Sequence, residues 1–283
     1  MCARVGCHAC PVNRRRAPQP TAIGVLLLAV ALLAGCSANT SAAPPEGAVI
    51  AENLHPEIVR ELPHDPTAFT QGLEISDGTL FESTGLVGRS WLRTTSLDTG
   101  AQLARSDLAR PMFGEGITVA GDTVWQITWK DGVAIARDRN TLAQQRQIEY
   151  DGEGWGLCTQ ADRLVMSNGS DTLTFRDPVT FEATGSVDVT LDGRPVDQLN
   201  ELECASDGFV YANVWQTDRI LRIDPATGVV VGRIDAGNLK DALPAGERGG
   251  IDVLNGIAQI PGTDRFLVTG KLWPRMFEVR FVA

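Results

Sequence analysis

Histidine is scarce in this chain. Three occur in 283 residues, and only His55 and His64 lie beyond residue 50. Beyond that point there is no HExxH, no zinc-type CxxC pair and no glycine-rich phosphate loop. The common zinc-hydrolase and P-loop chemistries therefore have no motif to start from. A serine nucleophile elbow is missing as well. Basic charge is also short. The chain has 25 Lys and Arg against 35 Asp and Glu, a net charge of −10. That argues against nucleic acid as a partner, because phosphate binding needs basic patches. It suits a cationic ligand somewhat better, although acidity mainly signals solubility. No convincing helical period runs through any segment, and the longest irregular stretch, Ala236 to Gly250, reads as a rim loop.

Long apolar runs are absent too. The run Ile23 to Leu33 is too short to span a bilayer comfortably, and it follows Arg14, Arg15 and Arg16. Leu33-Ala34-Gly35-Cys36 comes next and looks like a bacterial lipobox. The expected layout is a lipoprotein signal peptide over 1–36, a flexible tether over 37–47 and one domain over 48–283. Cys36 is the expected lipidation site. The protein is expected to be exported, extracytoplasmic and held at the membrane only by its lipid anchor. The alternative is an ordinary secretory signal with a chance cysteine. Cys7, His8 and Cys10 have metal-ligand character but lie upstream of this signal, so they are set aside. Only Cys158 and Cys204 remain in the mature part. An exported chain can pair them; two free buried thiols are the other reading.

What is present is a repeat. A polar or aromatic residue, usually followed by glycine and then an aliphatic residue, recurs five times. The copies are Gln71-Gly72-Leu73, Glu115-Gly116-Ile117, Trp155-Gly156-Leu157, Asn200-Glu201-Leu202 and Asn255-Gly256-Ile257, spaced 44, 40, 45 and 55 residues apart. Periods near 40 to 45 fit blades of a β-propeller. Within each repeat, short apolar runs broken by Gly and Asp read as four strands. A turn cassette sits between the third and fourth strands: Leu97-Asp98-Thr99-Gly100, Asp138-Arg139-Asn140-Thr141, Asp177-Pro178-Val179-Thr180 and Asp224-Pro225-Ala226-Thr227-Gly228. Asp opens such turns by accepting backbone N–H bonds. The fifth repeat runs out one strand short, while Glu57 to Leu62 is a strand with no blade of its own. The expected fold is therefore all-β, a five-bladed β-propeller whose ring is closed by this N-terminal strand completing the last blade.

The first position of each block should repeat at one level around the axis. That set holds one acid, three amides and one indole. Glu115 lies between glycines in Phe113-Gly114-Glu115-Gly116-Ile117, and Trp129, Trp155 and Trp215 are placed to line the same mouth. A carboxylate among aromatics has its ionised form disfavoured, so its pKa rises toward neutrality. Such a group can take and return protons at working pH. The plainer alternatives are a structural acid bonded to backbone N–H groups, and tryptophans that only pack the core. His64-Asp65-Pro66 reads as a turn anchoring the entry loop.

Several longer segments carry a resemblance. They are Pro63-His64-Asp65-Pro66-Thr67-Ala68-Phe69-Thr70-Gln71-Gly72-Leu73, Phe81-Glu82-Ser83-Thr84-Gly85, Phe113-Gly114-Glu115-Gly116-Ile117, Gln126-Ile127-Thr128-Trp129-Lys130, Gly152-Glu153-Gly154-Trp155-Gly156-Leu157, Leu199-Asn200-Glu201-Leu202-Glu203, Ala212-Asn213-Val214-Trp215 and Val268-Thr269-Gly270-Lys271-Leu272-Trp273-Pro274. From about Pro63 onward the chain resembles the plant-type (papaya-like) glutaminyl-peptide cyclotransferases and their bacterial relatives. The resemblance implies conversion of an N-terminal glutamine into pyroglutamate with release of ammonia. It implies Glu115 as general acid and base, with Phe69, Gln71, Phe113, Trp129, Trp155, Asn200, Trp215 and Lys271 around the substrate. It implies no cofactor and no catalytic metal. The expected partners are peptides or proteins with N-terminal glutamine, bound by a monomer. The rival reading is a non-catalytic envelope propeller that binds a ligand or partner protein. Cys158 departs from the resemblance, since a small polar residue is expected there.

Overall fold

The computed structural model describes residues 49–283. The expected signal peptide, lipidation at Cys36, the tether and the Cys7, His8, Cys10 group lie outside the described residues. Strand β1 (Glu52–Pro63) is followed by three antiparallel four-stranded sheets. The first is β2 (Thr70–Ser76), β3 (Thr79–Thr84), β4 (Trp91–Ser96) and β5 (Gln102–Asp107). The second is β6 (Gly114–Ala120), β7 (Thr123–Thr128), β8 (Val133–Asp138) and β9 (Gln144–Glu149). The third is β10 (Leu157–Gln160), β11 (Arg163–Met166), β12 (Thr172–Arg176) and β13 (Ala183–Asp188). A small hairpin, β14 (Thr190–Leu191) and β15 (Arg194–Pro195), comes next. The remaining strands are β16 (Leu199–Cys204), β17 (Val210–Val214), β18 (Arg219–Ile223), β19 (Val230–Asp235), β20 (Leu254–Gln259), β21 (Arg265–Gly270) and β22 (Arg275–Val282). With β1 they form one eight-stranded sheet in the order β16-β17-β18-β19-β1-β22-β21-β20. The architecture is all-β and propeller-like.

The cassettes explain why the chain turns where it does. Asp138 Oδ1 accepts the N–H groups of Asn140 and Thr141, and Asp177 Oδ1 accepts those of Val179 and Thr180. Asp224 accepts Ala226 N–H in the same way. The first cassette differs from the sequence reading. There Ser96 Oγ accepts Thr99 N–H at 3.2 Å, so the turn opens on Ser96 and not on Asp98. The threonine, not the aspartate, sets the common register. The residue after it has positive φ in all four cassettes: Gly100, Leu142, Phe181 and Gly228. Leu142 and Phe181 accept that conformation while fully buried.

The core lies between sheets. Phe81, Leu92, Ile117 and Val124 fill the gap between the first and second sheets. Trp125 and Phe181, with ring centroids 4.8 Å apart, fill that between the second and third. Val165 and Phe175 of the third sheet pack on Leu202, Val210 and Leu221. Ile220 and Ile234 then pack on Ile257, Val268 and Phe277, and Leu73 and Ile75 of the first sheet meet Ala258, Leu267 and Met276.

Three further points depart from, or go beyond, the sequence reading. First, Ala236 to Gly250 is not all loop. It contains α1 (Gly237–Ala242) and a 3₁₀ turn at Ala245–Glu247. Six residues are too few for a helical period to register, yet Leu239 is fully buried and Asn238 Nδ2 donates to Pro56 O at 2.8 Å. Second, β1 starts at Glu52, earlier than the expected Glu57. Its body pairs antiparallel with β22, and Glu52 to Leu54 pair parallel with β19. Third, Cys158 and Cys204 form a disulfide, Cα atoms 5.4 Å apart, so the free-thiol reading fails. Equivalent positions on neighbouring first strands bring the two within bridging distance. His64 is an anchor, as its turn reading expected. Its Nδ1 meets Trp273 O at 2.6 Å and its Nε2 meets Glu82 Oε1 at 2.8 Å.

Candidate active site

The repeated block has a local cause. In β2, β6, β16 and β20 the antiparallel register slips at the block, between Thr70 and Gly72, Gly114 and Ile117, Leu199 and Leu202, and Leu254 and Ile257. An extra residue of this kind leaves the ladder and re-aims a side chain. The block glycines let neighbouring first strands approach. A Cβ on Gly156 would lie 2.1 Å from Asn200 O, and one on Gly116 would lie 2.6 Å from Leu157 N. The fourth copy carries Glu201 where the others have glycine. Its carboxylate accepts Ile257 N–H at 2.8 Å and Leu73 N–H at 3.2 Å, tying three first strands together.

All nine candidate residues line one cavity of about 260 Å³: Phe69, Gln71, Phe113, Glu115, Trp129, Trp155, Asn200, Trp215 and Lys271. They lie in, or in loops beside, all three four-stranded sheets and the eight-stranded sheet. Phe113 meets Phe69 edge-on at 6.3 Å and Trp129 at 5.5 Å. Trp155 and Trp215 form a second edge-on pair at 5.6 Å. Gly169, at positive φ, gives Trp155 its space, since a Cβ there would come within 2.6 Å of the indole.

Glu115 is buried at 4 % exposure, and Gln71 Nε2 donates to its Oε1 at 2.9 Å. Burial pushes its carboxyl well above the ordinary range; Lys271 opposes this and Glu153 adds to it. Lys271 is buried to the same degree. Burial holds its ammonium below the usual lysine range, against the pull of Glu115 and Asp252. Its Nζ lies 4.9 Å from the Phe69 ring centroid, a cation–π distance. An acid that resists ionising therefore faces a base that resists protonation. Both groups line the same largely apolar space.

Two residues escaped the sequence reading. Asn255 fits the ring by spacing but had no assigned role; its Nδ2 donates to Thr70 O at 3.0 Å and to Gln71 Oε1 at 3.3 Å. That fixes the Gln71 carboxamide with its NH₂ toward Glu115. Glu153 has no role in the sequence reading, although Gly152-Glu153-Gly154 repeats the glycine-flanked acid of Gly114-Glu115-Gly116 one sheet later. That echo was the signal available.

Comparison with known proteins agrees with this geometry. Residues 27–281 match the family described as Glutamine cyclotransferase. A glutaminyl-peptide cyclotransferase of Arabidopsis thaliana is 41 % identical over 226 residues, 79 % of this chain and 70 % of that protein. The crystal structure of Myxococcus xanthus glutaminyl cyclase is similar at a TM-score of 0.73 and 43 % identity, covering 82 % of this chain and 98 % of that one. With the match running through nearly the whole chain, this protein belongs to the glutamine cyclotransferase family.

Proposed function

We propose that the protein is a glutaminyl-peptide cyclotransferase, converting the N-terminal glutamine of peptides or proteins into pyroglutamate and ammonia. The observation that carries this is a buried carboxyl, bonded by Gln71, that shares an aromatic-walled cavity with a buried lysine. The substrate's α-amine attacks its own γ-carboxamide carbon. A C–N bond forms to that carbon and the bond to the carboxamide nitrogen breaks. Glu115 takes a proton from the attacking nitrogen and gives one to the departing ammonia, so protons balance across the cycle. The oxygen of the tetrahedral intermediate needs donors. Lys271, Asn200 and the second N–H of Gln71, whose first is bonded to Glu115, are the candidate donors. Phe69, Phe113, Trp129, Trp155 and Trp215 fold the glutamine side chain toward ring closure, and conformer selection contributes much of the rate in an intramolecular reaction.

The same reading includes the scaffold and its surroundings. The sheets form five blades in a ring closed by β1. The cyclic order of sheet packing and the double pairing of β1 support this. The chain is exported and acts as a monomer, its domain over 48–283 held through the tether over 37–47 to a lipid on Cys36; the order of basic, apolar and Leu-Ala-Gly-Cys segments supports export and anchoring.

The test is incubation of a glutamine-initiated peptide with the purified protein, followed by mass spectrometry. Loss of one ammonia faster than in buffer is expected. Glu115→Gln should keep the fold, read by circular dichroism, and lower turnover by at least about 10²-fold. Undiminished turnover in that variant would remove Glu115 from its role.

A further inference from the structure

Glu153 takes no part in the chemistry above, yet it touches two walls of the site. Its Oε2 accepts the indole N–H of Trp129 at 2.8 Å and that of Trp155 at 3.0 Å. Trp129 follows β7 and Trp155 precedes β10, so one oxygen joins aromatic side chains of neighbouring sheets. Its other oxygen faces Lys130 Nζ at 3.4 Å, and that ammonium sits 4.1 Å from the Trp129 ring centroid. Backbone bonds brace the same junction, with Gly154 N–H donating to Trp129 O at 2.9 Å.

Building on the cyclotransferase reading, we propose that Glu153 is a positioning residue: its carboxylate sets the separation of the Trp129 and Trp155 indoles, and its negative charge acts on Glu115. The local chemistry separates the two acids. Burial works to raise Glu153's proton affinity. The two indole N–H groups and Lys130 outweigh it, so the carboxyl lies below its ordinary range and stays ionised at neutral pH. Glu115 lies on the other side of that range. Two carboxyls with opposed proton affinities in one site mark a division of roles. The charged and titratable groups around Glu115 are Lys271, which favours its ionised form, and Glu153, which disfavours it. Tyr150 is the nearby phenol, its hydroxyl bonded to Thr128 O. Asp252 acts on Lys271, and Arg176 acts on Tyr150.

Two substitutions separate geometry from charge. Glu153→Gln keeps an acceptor oxygen for the indoles and removes the charge. Glu153→Ala removes both. In Glu153→Gln, the limb of the kcat/KM pH profile that reports Glu115 should move to lower pH, with KM within about threefold of the parent. In Glu153→Ala, KM should also rise about tenfold or more, the size expected for losing charge-assisted hydrogen bonds. A second measurement does not depend on turnover. In protein labelled with ¹⁵N-tryptophan, two indole N–H resonances should shift and exchange faster in Glu153→Ala but hold in Glu153→Gln. A parent that fails to cyclise the peptide would sink the functional reading alone, and the indole signals would still decide the clamp. Unchanged indole signals in Glu153→Ala would overturn it. So would pH profiles and KM values in both variants that superpose on those of an active parent.

Discussion

A single carboxamide shows how the site is tuned at the scale of residues. Gln71 can present either oxygen or nitrogen to Glu115, and Asn255 decides which by donating to its oxygen. The relay Asn255 to Gln71 to Glu115 acts as a unit, so effects within it should not multiply. Asn255→Ala is expected to lower kcat/KM about tenfold. Added to Gln71→Ala, it should lower it little further. Steady-state kinetics on the two single variants and the double variant check this, and fully multiplicative losses would count against a relay. The residues lining the cavity were legible in the sequence because several stand at the first position of a repeated block and the rest lie in motifs beside it. Asn255 had the position but no reading, because its role depends on a bond to β2, 184 residues away in sequence. Spacing does not encode such a bond.

At the scale of elements, the turn cassette does more than reverse the chain. Its residue of positive φ becomes a core plug in two sheets: Leu142 is packed with Phe81 and Val124, and Phe181 with Trp125. Glycine takes that position in the first and last cassettes: beside Gly100 the space is open, whereas a Cβ on Gly228 would lie 2.0 Å from Asp188 O. Phe181→Ala should destabilise the protein by about 3–5 kcal/mol. Equilibrium unfolding in urea would measure it, and a loss below about 1 kcal/mol would mean the neighbouring Trp125 collapses into the gap. The strands and their order were readable from apolar alternation and turn residues. The start of the first cassette was not, because Ser96 does chemically what aspartate does elsewhere while Asp98 stands nearby as a decoy. The short helix α1 was hidden by its length.

At the scale of the whole molecule, buried acids set how stability varies with pH, and they work in opposite directions. Glu82, bonded to His64, Arg93 and Thr70, is driven down to about 2; burial opposes the shift, and the charges of His64 and Arg93 overcome it. Its stabilisation is complete above its unfolded value of 4.5 and is lost as pH falls toward 2. His64 is raised: burial lowers it, but Glu82 outweighs that. Its contribution is full below 6.5 and is lost as pH rises through the folded value. Glu74, whose carboxylate accepts Val119 N–H, is pushed up to about 7 by burial, so folding binds its proton between 4.5 and 7 and stability declines as pH rises through that window. Glu201 and Glu203 are raised by burial in the same sense. Thermal unfolding should therefore show a maximum on the mildly acidic side. Glu74→Gln, which keeps an acceptor for Val119, should flatten the decline toward pH 8 by about 1–3 kcal/mol. A melting profile unaltered by that variant would place the alkaline decline elsewhere.

The double pairing of β1 has a consequence for how the protein is made. Arg60 in β1 bonds Glu278 in β22, 218 residues later. A ribosome releases this twelve-residue strand before the other described strands, and both of its partners only after residue 229. During most of synthesis its main-chain N–H and C=O groups therefore have no strand partner, an edge open to other nascent chains. The exposed Glu52, Glu57, Arg60 and Glu61 along it are the charges that discourage such pairing. Of the described strands β1 waits longest for its partners, and it carries exposed charge along its length while it waits.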